Sequence, residues 1–427
     1  MGKLIALAVS LTVSSAYAAA AEKQVTPLSW EDCVKAAMAS NPSLLGARFR
    51  LDAARARRNS AFGGFLPGVS AGVSAEDRGP GSPPAVRDIT LSPWTANLTV
   101  SQSLFSGFST LSEAFRAAAS VRQERARLRA ESAATRDRLR SSFVSLLHAQ
   151  ENVGLLEQIA KRRQDNADLV RLRYEAGRED KGSALRVAAD AHEAAFDVSR
   201  ARRALSLSRR RLAAETGLQE GLSELAVKGD WTLPLPPDSP DFTRLVAAAP
   251  ATEQAAAALD AARASFTGNL SPFLPSARAS AGVSRSGPDW PPTEPGWNAG
   301  VSLSWNLFSG GSDLSGAMAA RAEKRQAEES LEETRRGTRV SLEDAWNSYM
   351  DAYENVGVRK QYLDASQARS EIGRAQYANG LLSFTQWDII ESELVDSERG
   401  YLNARRDALL AESAWRNALG EGLEGKP

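Results

Sequence analysis

The sequence predicts a mainly α chain with a small β part, organised as a tandem repeat of long α-helical hairpins with two β-strands in each repeat. Three observations lead there: two long proline-free stretches, a duplicated set of short motifs, and segments of strict apolar/polar alternation. No proline lies between Pro93 and Pro234, and none between Pro295 and Pro427. Proline removes a backbone donor and clashes with the preceding helical turn, so gaps of that size are what long uninterrupted helices leave. Leu51-Asp52-Ala53-Ala54-Arg55-Ala56 recurs as Leu259-Asp260-Ala261-Ala262-Arg263-Ala264, and Phe65-Leu66-Pro67 as Phe273-Leu274-Pro275, both at an offset of 208. Farther on the offset is 203: Leu104-Phe105-Ser106-Gly107 returns as Leu307-Phe308-Ser309-Gly310, Glu151-Asn152-Val153-Gly154 as Glu354-Asn355-Val356-Gly357, Tyr174 and Gly177 as Tyr377 and Gly380, and Gly217 as Gly420. Matches held in register over this span mark a duplication. The drop from 208 to 203 falls in the Gly/Pro/Ser-rich segments Asp77 to Thr95 and Arg285 to Gly296, which are expected to be exposed loops.

Taken in chain order, Met1 to Ala21 reads as a secretory signal, with Lys3, an apolar run from Leu4 to Val13 and the small-x-small site Ala16-Tyr17-Ala18. The first repeat then covers 22–217, with strands at about 67–75 and 96–104 and a long hairpin at about 108–217. A proline-rich linker, 218–240, is expected to pack as a belt around the middle of the helical rod, with a flexible tether as the alternative. The second repeat covers 241–420, with strands at about 275–284 and 298–306 and a hairpin at about 311–419, and 421–427 is a short tail. Leu139, Phe143, Leu146, Val153, Leu156 and Ala160 are spaced to form one apolar seam on a helix. From Gly107 to Tyr174 such a helix measures on the order of 100 Å at 1.5 Å per residue. Glycine tolerates the left-handed conformation that ends a helix, so Gly177 and Gly380 mark the chain reversals.

The β part is legible as period two. Asn97, Thr99, Ser101 and Ser103 alternate with Leu98, Val100 and Leu104, and Asn298, Ser302 and Ser304 alternate with Ala299, Val301 and Leu303. Strands of roughly 9 to 11 residues with one apolar and one polar face fit a membrane barrel, lipid outside and lumen inside. Trp94, Trp290 and Trp297 sit at strand ends, where interfacial aromatics belong. Four strands cannot close a barrel, and an open edge in hydrocarbon leaves backbone groups unsatisfied, so the chain is expected to oligomerise.

Composition removes other classes. The 52 Lys plus Arg balance the 52 Asp plus Glu, which leaves no basic surface for nucleic acid. One Cys and two His, far apart, exclude a disulfide framework and a Cys/His zinc cage. Cys33 reads as a small buried residue in a short helix, and His148 and His192 as solvated or lightly packed helix residues. No P-loop, Gly-x-Ser-x-Gly elbow or His/carboxylate cluster is present, so no catalytic residue and no cofactor are expected.

In order and spacing, Phe273-Leu274-Pro275, Leu307-Phe308-Ser309-Gly310-Gly311 and Tyr377-Ala378-Asn379-Gly380-Leu381-Leu382-Ser383 resemble the TolC-like outer membrane efflux proteins, over essentially the whole mature chain. The resemblance implies a homotrimer with a twelve-stranded barrel in outer-membrane lipid and a helical tunnel across the periplasm. It also implies docking onto a periplasmic adaptor and an inner-membrane pump of the RND or ABC type. The function it implies is a passive exit duct for efflux or type I secretion. A soluble periplasmic coiled-coil scaffold or adaptor without a pore is the alternative from the residues alone.

Asn97, Thr99, Ser101, Ser103, Asn298, Ser302 and Ser304 are then expected to line the lumen. Asp168 and Glu371 lie six residues before the repeated Tyr, with Arg171 and Arg374 three before it, and rings of such charges can form a periplasmic gate. An i, i+3 ion pair in each repeat is the plainer role for the same residues. Tyr174, Gly177, Tyr377, Gly380, Leu381 and Ser383 are candidate adaptor-docking tips, and the first tip, Gly177 to Gly182, departs from the Gly-Leu-x-Ser form of the second.

Overall fold

The computed structural model describes residues 27–76, 94–218 and 224–424. The expected signal segment, most of the loop from Asp77 to Thr95 and the end of the tail lie outside the described residues.

Each repeat opens with short helices that prepare the sheet. In the first, Ser29 and Asp32 form a reciprocal capping box that starts α1 (Trp30–Ser40). Asn41 caps the amides of Ser43 and Leu44, and Pro42 then begins α2 (Pro42–Gly63). β1 (Gly68–Ala75) and β2 (Trp94–Ser106) follow, and then α3 (Ser109–Glu175), 67 residues long, and its return partner α4 (Lys181–Thr216). The second repeat has α5 (Phe242–Ala248), α6 (Pro250–Gly268), a 3₁₀ turn at Ser271–Phe273, β3 (Ser276–Gly287), β4 (Glu294–Ser304), α7 (Ser312–Ala378, again 67 residues) and α8 (Phe384–Ala418). The expected fold class, a mainly α tandem repeat with four strands, is the one observed. Cys33 lies fully buried on α1.

Two expectations about the second strand pair are corrected. β4 begins at Glu294 and ends at Ser304, where 298–306 was expected, and β3 runs on to Gly287. The ends of the stretch Arg285 to Gly296 are therefore ladder, with the loop confined to 288–293: Ser284 pairs with Gly296, Arg285 with Pro295 and Ser286 with Glu294. The glycine, proline and serine content of that stretch suggested a loop, but Pro295 lies at the very start of β4, where a missing backbone donor is tolerated.

Strand passes to helix through left-handed residues. Gly107 and Phe108 have φ of 61° and 70°, and Gly310 and Gly311 have φ of 65° and 86°, which gives the repeated Leu-Phe-Ser-Gly motif its physical reason. The far ends close as Schellman motifs. The amides of Gly177 and Arg178 bond the carbonyls of Tyr174 and Arg173, and those of Gly380 and Leu381 bond Tyr377 and Gln376. Asp180 and Ser383 then cap the return helices.

The core is duplicated with the sequence. Leu139, Leu146 and Leu212 anchor one apolar cluster, and Leu342, Tyr349 and Trp415, each 203 residues on, anchor the other. The linker crosses both. Gln150 on α3 exchanges two hydrogen bonds with the Val227 backbone (3.0 and 3.1 Å), Trp346 Nε1 donates to the Pro237 carbonyl (2.9 Å), and Tyr349 Oη donates to that of Pro234. His148, on the flank of α3, is half-buried against α8 with Nε2 3.1 Å from Asn403 Oδ1, whereas His192 is exposed.

A Cβ on Gly107 would lie 2.7 Å from the Ser271 carbonyl oxygen. Gly107→Ala is therefore expected to lower the denaturant midpoint followed by circular dichroism, by at least the roughly 1–2 kcal/mol of a left-handed L-residue. Phe108→Gly, which installs the residue present at Gly311, should leave the midpoint unchanged or raised. Burial, ahead of the nearby Arg406 charge, holds the His148 pKa below its usual 6.5. Because the unfolded chain then binds the proton more readily, stability should be full above about pH 6.5 and fall as pH drops below it. His148→Gln should flatten that fall in midpoints measured from pH 7 downwards.

Candidate functional site

The sheet runs β1-β2-β3-β4, all antiparallel, so that β2 and β3 join the two repeats and β1 and β4 are its edges. Register carries the alternation of each strand across the whole sheet. One rung reads Gly72, Asn97, Ser284, Gly296, and another reads Gly68, Ser101, Ser280, Gly300. The rungs between them read Ala71, Leu98, Val283, Trp297 and Val69, Val100, Ala281, Ala299. All seven polar residues expected in a lumen, Asn97, Thr99, Ser101, Ser103, Asn298, Ser302 and Ser304, lie on the polar face. Two asparagines use glycine for room: a Cβ on Gly72 would meet Asn97 Oδ1 at 2.7 Å, and one on Gly282 would meet Asn298 Oδ1 at 2.9 Å. Arg278, paired with Ser103 and Ser302, adds a cation to this face that alternation alone did not single out.

Aromatic side chains bracket the sheet. At the end away from the helices Trp94 and Trp290 pack at 5.4 Å between centroids, and Trp297 is 81% exposed. At the helix end Phe62 packs on Phe65 and Phe105 on Phe108, and Trp305 and Phe308, just after β4, are exposed. The second girdle was not anticipated, because its members belong to three different segments, 62–65, 105–108 and 305–308.

At the opposite end of the molecule the repeated tyrosines diverge. Tyr174 is exposed, whereas Tyr377 is 1% exposed and stacked on Trp387 at 4.3 Å. The Arg173 guanidinium covers Tyr377 at 4.6 Å and donates to its carbonyl (2.8 Å), and Tyr377 Oη donates to Glu179 (2.8 Å). Burial, ahead of that carboxylate, raises the Tyr377 pKa. Tyr377 therefore holds the two hairpin tips together and is not a docking surface, which corrects its expected role. Leu381 stays exposed at the second turn, and Ser383 is occupied as a cap.

The expected gate residues also separate. Asp168 and Arg171 form the exposed i, i+3 pair at 3.2 Å. Arg374 does not pair with Glu371; its Nη2 lies 3.5 Å from Glu391 Oε2 on α8, and this corrects the symmetric picture. Glu371 is exposed, with no ion-pair partner among the described residues. Glu391 is buried and is the attraction: Ser370 Oγ donates to one oxygen, Asn166 Nδ2 to the other (3.1 Å), and Arg162 Nε lies 3.8 Å away. Arg162 also forks onto Glu398 at 3.0 and 2.6 Å, and Arg163 bridges Asp388 (3.6 Å) and Asp190 (4.0 Å). Side chains from α3, α4, α7 and α8 thus meet in one polar lock below the tips.

The family described as outer membrane efflux protein matches residues 33–218 and 243–421, nearly all of both repeats. The chain belongs to that family. No curated protein sequence matches it. Among solved structures it is similar to the outer membrane protein VceC from Vibrio cholerae, at 18% identity and a TM-score of 0.80, over 92% of this chain and 96% of that one. It is also similar to the Campylobacter jejuni CmeC outer membrane channel, at 14% identity and a TM-score of 0.79 over 98% and 94%. A third is the open state of the Neisseria gonorrhoeae MtrE outer membrane channel, at 16% identity and a TM-score of 0.76 over 92% and 89%. Membership puts this efflux protein in the bacterial outer membrane, sheet in the membrane and long helices on the periplasmic side. No helix among the described residues is long and apolar enough to cross a membrane.

The polar lock was missed by sequence reasoning, although one signal for it exists: Glu391 falls on the helical face shared by Trp387, Leu394 and Val395. Removing one partner of a buried pair costs about 3–5 kcal/mol. Glu391→Ala is expected to cost in that range by denaturant unfolding and to speed proteolysis at the hairpin tips, with Glu391→Gln milder because it keeps an acceptor for Ser370 or Asn166.

Proposed function

We propose that three copies of this efflux family protein assemble into a passive exit duct, a twelve-stranded barrel continued by a helical tunnel, which carries cargo delivered by a periplasmic adaptor and an inner-membrane pump. One observation carries the reading: a two-faced sheet of four strands whose edges, β1 and β4, are both open. In hydrocarbon each unpaired edge group costs several kcal/mol, and pairing β4 of one copy with β1 of the next removes that cost all round the ring. The apolar rungs then face lipid, and the asparagine, serine and threonine rungs face water. A hydroxyl- and amide-lined wall passes hydrated solutes without holding them, so the driving energy has to come from the pump.

The exposed tips, with Tyr174, Gly177, Gly380 and Leu381, are the docking surface we propose for the adaptor. Of the four gate candidates Glu371 is favoured, because Asp168 and Arg171 neutralise each other and Arg374 serves Glu391. Purified protein in planar bilayers is expected to conduct. Glu371→Gln should lower its cation preference, Arg278→Ser should raise it, and Asp168→Asn should change it little. No conductance, together with release from membranes without detergent, is the outcome that would sink the channel and favour a pore-less scaffold.

A further inference from the structure

The duplication allows the missing contacts of a single chain to be read from the contacts it already makes. Inside the chain, repeat one meets repeat two at three joints. β2 pairs with β3, α6 packs on α3, with Arg122 bound to Asp260 (2.8 Å) and Arg129 to Glu253 (2.7 Å), and α8 packs on α3. Moving each joint forward by one repeat gives β4 with β1, α7 with α2, and α7 with α4. Within the single chain β1 and β4 do not pair, and α7 packs substantially on neither α2 nor α4. The faces concerned are uncovered. On α3, Ile159 is buried against α8 in one cluster with Val395, and Leu155 and Leu169 are partly buried. Their counterparts on α7, 203 residues on, are Tyr362, Val358 and Ile372, at 61%, 49% and 59% exposure. On α8, Asp388, Val395 and Arg399 are at least partly covered; their counterparts on α4, 203 residues back, are Leu185, His192 and Phe196, all exposed.

We propose that a second copy of this chain covers these faces, with Val358, Tyr362 and Ile372 of α7 closing on Leu185, His192 and Phe196 of the next copy's α4. At the positions of the Arg162–Glu398 and Glu391 contacts this joint would be apolar where its internal counterpart is ionic. The inference rests on the assembly proposed above and adds to it the residues and the chemistry. The substitution of chemistry is position by position: Arg162 and Glu398, bound together in the internal joint, become Ala365 and Ala195, and Glu391 becomes Ala188. The buried polar lock is therefore confined to the inside of each chain in this part of the rod. Nearer its middle the outer joint keeps charge, since Glu151 and Arg405, 3.4 Å apart, correspond to Glu354 and Arg202.

Cysteines report the joint directly, and the one native thiol, Cys33, is buried. The full-length chain carrying His192→Cys with Tyr362→Cys, oxidised in membranes, is expected to give a ladder of linked copies on a non-reducing gel. Ile159→Cys with Val395→Cys, the internal equivalent, should close within one chain and give no ladder. When the two substitutions of a pair are divided between co-expressed chains, His192→Cys and Tyr362→Cys should still link as dimers, and the internal pair should not. If the protein sediments in detergent as an oligomer and the internal pair oxidises, but the outer pair stays monomeric, the seam is wrong and the assembly stands. If the protein sediments as a monomer, both fall.

Discussion

A β-sheet edge in hydrocarbon has nothing to bond to, and most of this molecule can be understood as a response to that constraint. The strands are two-faced because one side must meet lipid and the other water, and register keeps every rung of the four strands on its proper side. The two asparagines on the polar face sit where the neighbouring strand offers glycine, so bulk is complementary across the ladder as well as polarity. The sheet is complete as chemistry and incomplete as a closed surface, and the polypeptide has no further strand among its described residues with which to finish it.

The helices answer a different demand, which is length. A single 67-residue helix has no core of its own, and each long helix here is supported by its return helix, by the short helices and, at mid-length, by the linker. Large apolar clusters gather where the linker crosses, around Phe143 and Trp346. Between those clusters and a smaller one at the tips, formed by Val170, Val187, Tyr377 and Trp387, Glu391 and its arginine, serine and asparagine neighbours form a polar layer. Such a lock costs desolvation but fixes which helix lies against which.

What could be read from the sequence followed the range of the signal. Helix extents, hairpin turns and strand faces depend on local periodicity and on motifs repeated at a fixed offset, and those features were found where expected. Glycines before the long helices were legible as motifs, and their left-handed backbones supplied the reason. The roles of Tyr377 and Arg374 were not legible, because each repeat predicted the same part for its tyrosine and arginine while Trp387 and Glu391 occur only in the second. Contacts such as Asn166 with Glu391 join residues 225 apart and leave no periodic trace. The early start of β4 was hidden by the glycine, proline and serine content of its segment, although a proline at the start of a strand is tolerated.

The pairing of Tyr174 with Tyr377, one bare and one enclosed, has a consequence for ancestry. A ring assembled from unfused single repeats would have every joint identical, and any change at one would be imposed on all. Fusing two repeats into one polypeptide breaks that symmetry: each position now exists twice and the two can drift apart. Glu391 faces an alanine at its sister site, Trp387 faces Ala184, and Phe108 stands where the later copy keeps Gly311. Duplication doubled the chain, and it also gave natural selection two independent handles on a structure that would otherwise offer one.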